Sequence, residues 1–135
     1  MTTYTQARDT LATLVDTAWA AHYPAVPIFH ENTKQIPLDK VGHSFVTVAV
    51  TFSDTLRTSV DTSPISESHG FLTLRLFAKE GSGVRATLGM IDFLTNTLKY
   101  QQVDGVTLDC PTPGRSLTRD GWTSTDIKVP FNFWQ

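Results

Sequence analysis

A chain of 135 residues and 15.0 kDa, 40% hydrophobic and 18% charged, has the size of one domain spanning 1–135, whose folding takes roughly two-thirds of the extended-chain surface out of water. With 11 Lys and Arg against 13 Asp and Glu, the formal net charge of −2 argues against a broad basic face and so against sequence-specific nucleic-acid binding. The single cysteine, Cys110, makes no internal bridge, and Thr and Ser together supply 30 residues, so hydroxyls carry much of the polar surface.

The first residues lack the basic and apolar regions of a secretory signal, and no apolar run approaches the ~20 residues that span a bilayer. With the solitary cysteine, this predicts synthesis and folding in a cytoplasm, away from membranes. From Thr3 to about His22, Ala7, Leu11, Leu14, Val15, Ala18 and Trp19 fall on one helical stripe. Thr3 and Gln6 fit a capping box at its start, and Pro24 ends it. Trp19 belongs to the stripe and is expected in the core, its indole N–H at the margin.

Val26-Pro-Ile-Phe29 reads as an edge strand because of its proline, followed by a loop over His30–Gly42. Phe45–Phe52 is the clearest strand: Val46, Val48, Val50 and Phe52 face one way, Phe45, Thr47, Ala49 and Thr51 the other. Ser53–Ser68 has a loop composition of unusual length, with Leu56, Val60 and Ile65 as scattered apolar residues. Gly70–Ala78 alternates again, so the two strands form a long antiparallel hairpin with a large excursion at its tip. A second helix follows Gly81-Ser82-Gly83, with Ser82 as cap and Val84, Thr87, Leu88, Ile91, Leu94 and Leu98 at helical steps. Val106–Cys110 and Thr123–Phe133 complete the set, separated by the turn-rich Pro111–Gly114 and by Asp120-Gly121. In the last strand Thr125, Ile127, Val129, Phe131 and Phe133 share a face, while Pro130 predicts an edge or a bulge. The order predicts an α+β fold: a mostly antiparallel mixed sheet of about five strands with two helices on one face and a long hairpin loop.

No catalytic constellation emerges. His22, His30, His43 and His69 are well separated, with no i, i+4 pair and no Cys-x-x-Cys to complete a metal site. Asp54, Asp61 and Glu67 lack the spacing of a calcium loop. Gly81-Ser82-Gly83 lacks the Lys of a phosphate loop and reads as a tight turn. Ser116 has no nucleophile elbow, Cys110 reads as a buried small hydrophobe, and Arg115, Arg119 and Lys128 are interspersed with Asp120 and Asp126. The pattern asks for no cofactor and no metal, and predicts no enzyme. A pocket between sheet and helices using one histidine as acid–base, in a small-molecule enzyme or binding domain, is the less favoured alternative.

The ordered motifs resemble the tail terminator (tail completion) proteins of long-tailed bacteriophages and prophages. The resemblance rests on the N-terminal helix, Tyr23-Pro-Ala-Val-Pro-Ile-Phe-His-Glu-Asn32, Phe45-Val-Thr-Val-Ala-Val50 and the polar loop. It continues through Gly70-Phe-Leu-Thr-Leu-Arg-Leu-Phe77, Lys79-Glu-Gly-Ser-Gly83, Val106-Thr-Leu-Asp-Cys-Pro111, Asp120-Gly-Trp122 and Val129-Pro-Phe-Asn-Phe133. It implies a structural virion subunit, assembled in the bacterial cytoplasm, that forms a homo-hexameric ring on the head-proximal end of the tail. There it would touch the tail tube protein below and the head–tail connector above, and no bond would be made or broken. A head–tail joining or neck subunit is the alternative within the same class. In this reading the loop residues Asp54, Leu56, Arg57, Val60, Asp61 and Ile65 make the axial contact, because long loops between rigid strands carry function. Trp122 at a strand entrance and Trp134 beside the C-terminus are the expected subunit contacts.

Overall fold

The computed structural model describes residues 2–31, 44–57, 65–79, 85–119 and 121–135. Its elements run α1 (Tyr4–His22), β1 (Ile28–His30), β2 (Phe45–Arg57), β3 (Ser66–Lys79), α2 (Arg85–Leu98), β4 (Gln102–Val103), β5 (Val106–Leu108), β6 (Thr112–Arg119) and β7 (Trp122–Trp134). The fold is α+β, with seven strands among the described residues rather than about five. The sheet order is β1-β2-β3-β7-β5-β4, with β6 also paired to β7. Among the described residues β1 alone runs parallel to its neighbour, and the other pairings are antiparallel.

The helix signals act as expected. Thr3 accepts from the Gln6 backbone N–H while the Gln6 side chain accepts from Thr3 N–H, closing the capping box. Ala7, Leu11, Val15 and Trp19 are buried, and Trp19 Nε1 donates to Val26 O at 3.0 Å, holding the chain that turns from α1 into β1. Met90, Ile91, Leu94 and Leu98 of α2 join the same cluster. Against them lie Val46 and Val48 of β2, Leu72, Leu74 and Leu76 of β3, and Ile127, Val129, Phe131 and Phe133 of β7. Each fully buried Leu, Ile or Phe contributes about 1.5–3 kcal/mol by leaving water. The Ser82 cap and the Gly81–Gly83 turn lie outside the described residues.

The structure corrects four expectations. Ser53–Ser68 is strand at both of its described ends: β2 continues to Arg57 and β3 begins at Ser66, paired from Asp54↔His69 to Arg57↔Ser66. Thr and Ser suit a pleated backbone, and a bulge at Ser53, between the Phe52↔Gly70 and Asp54↔His69 pairs, breaks the alternation and hides the strand. Pro111–Gly114 is no simple turn, because β6 starts at Thr112 and pairs with β7 through a register shift between Pro113 and Ser116. Pro130 lies on a strand paired on both sides, between Phe71 of β3 and the point where β5 gives way to β6. Asp109 N–H donates to Pro130 O at 2.8 Å, so the missing Pro130 N–H falls at that break, where no ladder bond is lost. Cys110 is partly exposed rather than buried.

One glycine is needed for close approach. At Gly70 an added Cβ would collide with the Thr51 carbonyl oxygen and lie 2.6 Å from Phe131 Cζ, whose ring covers the gap. Gly70→Ala is therefore expected to cost about 1–3 kcal/mol through overpacking against backbone. Denaturant unfolding of the two proteins checks this, and equal midpoints would refute it.

Candidate contact face at the β2–β3 hairpin

The Ser53 bulge decides which way the hairpin side chains face. Before it, Val46, Val48, Val50 and Phe52 share the helix-covered face with Leu76, Leu74, Leu72 and Gly70. After it the parity inverts, so Asp54 and Leu56 stand on the helix-free face beside His69 and Glu67. Since Glu67 also pairs with Trp134 across β7, Leu56, Glu67 and Trp134 form one row over three strands. Asp54, His69 and Asn132 form the next. Thr51, Phe71 and Pro130 form a third. Leu56 is 53% exposed, Trp134 47% and Phe71 39%.

Polar groups lie among these apolar side chains. Asn132 Nδ2 donates to Glu67 Oε1 at 2.7 Å. His69 Nε2 is 3.5 Å from that same oxygen, shut off from water and without a hydrogen-bond partner among the described residues. Farther along the face, Arg75 Nε and Nη2 donate to the two carboxylate oxygens of Asp126 at 2.6 and 3.2 Å, and this bond raises the Arg75 guanidinium above its ordinary pKa. The Lys128 ammonium stands 6.0 Å from the centre of the Phe71 ring.

The other side of the hairpin is fastened down. Ser68 is fully buried, its Oγ 2.9 Å from Thr55 Oγ1, 3.0 Å from Gln135 Oε1 and 3.4 Å from Tyr4 Oη. Tyr4 Oη also lies 2.8 Å from Thr55 Oγ1, and the bonds from Ser68 and then Thr55 hold the phenol below its ordinary pKa. The Tyr4 ring meets Phe52 and Phe133 edge-on, at 4.8 and 5.6 Å between centroids. Thr2 N–H donates to Trp134 O and Gln135 N–H to Ser66 O, so both chain ends tie into this base.

Of the residues singled out from the sequence, Asp54, Leu56 and Trp134 thus come together on one face. Arg57 closes β2 opposite Ser66, and Ile65, 43% exposed, lies just ahead of β3. Val60 and Asp61 lie outside the described residues. Trp122 is at the far end of β7, half-buried against Phe45 at 5.1 Å, in a cluster where Phe45 also meets Phe77 and Phe29. Sequence reasoning missed Phe71, His69 and Asn132 as members of the face; only strand registry reveals them. Elsewhere His30 Nε2 and Asp16 Oδ1 pair at 2.7 Å, and the His22 ring stacks on Phe93 at 4.3 Å; His43 lies outside the described residues. No described helix is long and apolar enough to cross a membrane.

No family model matches the chain, and no curated protein matches it. A solved structure whose name describes no activity superposes with a TM-score of 0.71 at 17% identity, covering 93% of this chain and 92% of that one. The likeness extends over most of the chain and concerns the fold alone.

Ser68→Ala is expected to lower stability by about 1–3 kcal/mol, because Thr55, Tyr4 and Gln135 lose the hydroxyl they share in a dry site. Thermal unfolding, with amide hydrogen exchange along β2 and β3, measures it. Unchanged exchange at Thr55 and Leu56 would show that the base does not hold the hairpin.

Proposed function

We propose that this chain is a tail terminator subunit: a structural virion protein that closes the head-proximal end of a phage tail tube as a homo-hexameric ring. In that role it stops tube polymerisation and offers the surface to which the head connector joins. The reading combines the resemblance of the ordered motifs with one observation, the row of Leu56 and Trp134 with Phe71 behind it. Large apolar side chains stand exposed on a helix-free face, with Glu67 between Leu56 and Trp134 and the polar row of Asp54, His69 and Asn132 between them and Phe71. Exposed Leu, Trp and Phe side chains interspersed with hydrogen-bonding groups suit a protein–protein contact. The hydroxyl network beneath supports preorganisation, which lowers the ordering cost of association. Leu56, Trp134, Asp54 and Ile65 are the contact residues in this reading. Trp122, held by Phe45 at the opposite end of the strand, offers a different patch, as a head-to-tail ring contact requires. The work is done by matched surfaces, without a cofactor or a chemical step.

Electron microscopy of particles made without this chain tests the role. Overlong, headless tails are expected; normal-length tails unattached to heads would assign it instead to a head–tail joining subunit. Leu56→Ala and Trp134→Ala, both exposed, are expected to leave stability within about 0.5 kcal/mol. If they anchor the contact, each costs assembly about 2 kcal/mol or more, roughly 30-fold in affinity. Normal assembly by the double variant would remove the face from the contact.

A further inference from the structure

We propose that a hollow between the end of α2 and strands β3, β4, β5 and β7 is a binding site for a neutral saccharide. The hollow borders the contact face and shares His69 and Asn132 with it, but the argument for a ligand does not use the ring reading. After α2 ends at Leu98, Tyr100 takes a φ of 57°, the left-handed conformation that the residue past a helix end usually assigns to glycine. A bulky residue there is strained, and its ring recovers little by burial, being 63% exposed. Beyond the Lys99 ammonium 5.4 Å from its centre, burial does not account for the tyrosine. Its position does: the ring borders a hollow of about 380 Å3 whose polar lining comes from His69, Gln102, Thr107, Asp109 and Asn132.

That set suits a pyranose ring. Sugar hydroxyls each donate and accept, and Gln102, Asn132 and Thr107 can do both, while Asp109 accepts. The apolar C–H face of a pyranose matches the flat face of an exposed aromatic. Two of the polar groups are already oriented: Asn132 Nδ2 is committed to Glu67, and Asp109 Oδ1 accepts from the Cys110 backbone N–H at 2.8 Å. Asp109, the acidic residue of the lining, disfavours anions, and a neutral polyol is the class whose hydroxyls and C–H face use both the amides and the aromatic platform. The volume lies within the range of small-ligand sites.

Titration of the intact chain with glucose, galactose, N-acetylglucosamine and maltose, each to about 50 mM, followed by amide and side-chain NMR shifts, tests the proposal. At least one sugar is expected to bind saturably, with shifts confined to Tyr100, Gln102, Thr107 and Asn132. Tyr100→Gly keeps the turn, because glycine accepts the positive φ, and removes the ring. It is expected to raise the melting temperature and to weaken sugar binding about tenfold or more. Gln102→Ala, on an exposed residue, is expected to weaken it severalfold without loss of folding. Absence of saturable binding by all four sugars, or binding that Tyr100→Gly leaves intact, would overturn the proposal. None of these outcomes bears on tail assembly, so the two readings fail separately.

Discussion

The pairing of β3 with β7 is the constraint on which the rest of the molecule depends. It runs unbroken from Glu67↔Trp134 to Lys79↔Trp122, and it sets the faces of both strands together. One side chain set, Leu72, Leu74 and Leu76 with Ile127, Val129 and Phe131, meets the helices; the other is left for solvent or a partner. A slip of one residue would turn that whole set outward, so burial itself enforces the register. At the Gly70↔Phe131 pair, the Phe131 ring and the Thr51 carbonyl of β2 leave no room for a Cβ.

On that fixed frame, β2 does two jobs with one irregularity. Its first half is a core strand whose valines pack beneath the helices. The Ser53 bulge then inverts the parity, and its second half presents Leu56 and Asp54 to the opposite side. A regular strand of the same residues would have aimed Leu56 into the helix side and left no row with Trp134. Tyr4 and Ser68 stabilise the inverted segment from behind, joining the first turn of α1, the hairpin and the last residue of the chain in one hydroxyl network. The surplus of Thr and Ser thus acts in part as internal cement: Ser68, Thr55 and the pairs Ser116 with Thr125 and Thr118 with Thr123 are hydroxyl–hydroxyl contacts between strands.

The same sheet has two different surfaces at its two ends. Near Trp122 the aromatics Phe29, Phe45 and Phe77 close on each other. Near Trp134 the apolar groups stand apart, exposed among polar ones. Beside them the strained Tyr100 and the polar hollow bring β4 and β5 into the same neighbourhood, through Thr107 paired with Asn132. Periodicity predicts a strand over Val106–Cys110, two residues past the end of β5 at Leu108, and misses β4, although Asp104-Gly105 carries a signal. Both residues have positive φ between Val103 and Val106, the geometry of a two-residue hairpin turn.

Periodicity by itself determined both helices, the capping box, the core face of β2, β3 and β7, and the α+β class, because those depend on local spacing and on one buried side. It did not determine where the strands stop. Beyond Phe52 the apolar alternation ends while the backbone ladder continues, and a ladder made of Thr, Ser and Asp leaves no hydrophobic signature. The position of Pro130 depends on the exchange of β5 for β6 beside it, between Leu108 and Thr112, eighteen to twenty-two residues upstream and adjacent only in space. The contact face was legible as single residues, Asp54, Leu56 and Trp134, but not as a surface. Which side chains share a face across strands is set by registry, and one inserted residue at Ser53 reverses it; only the tertiary structure decides that.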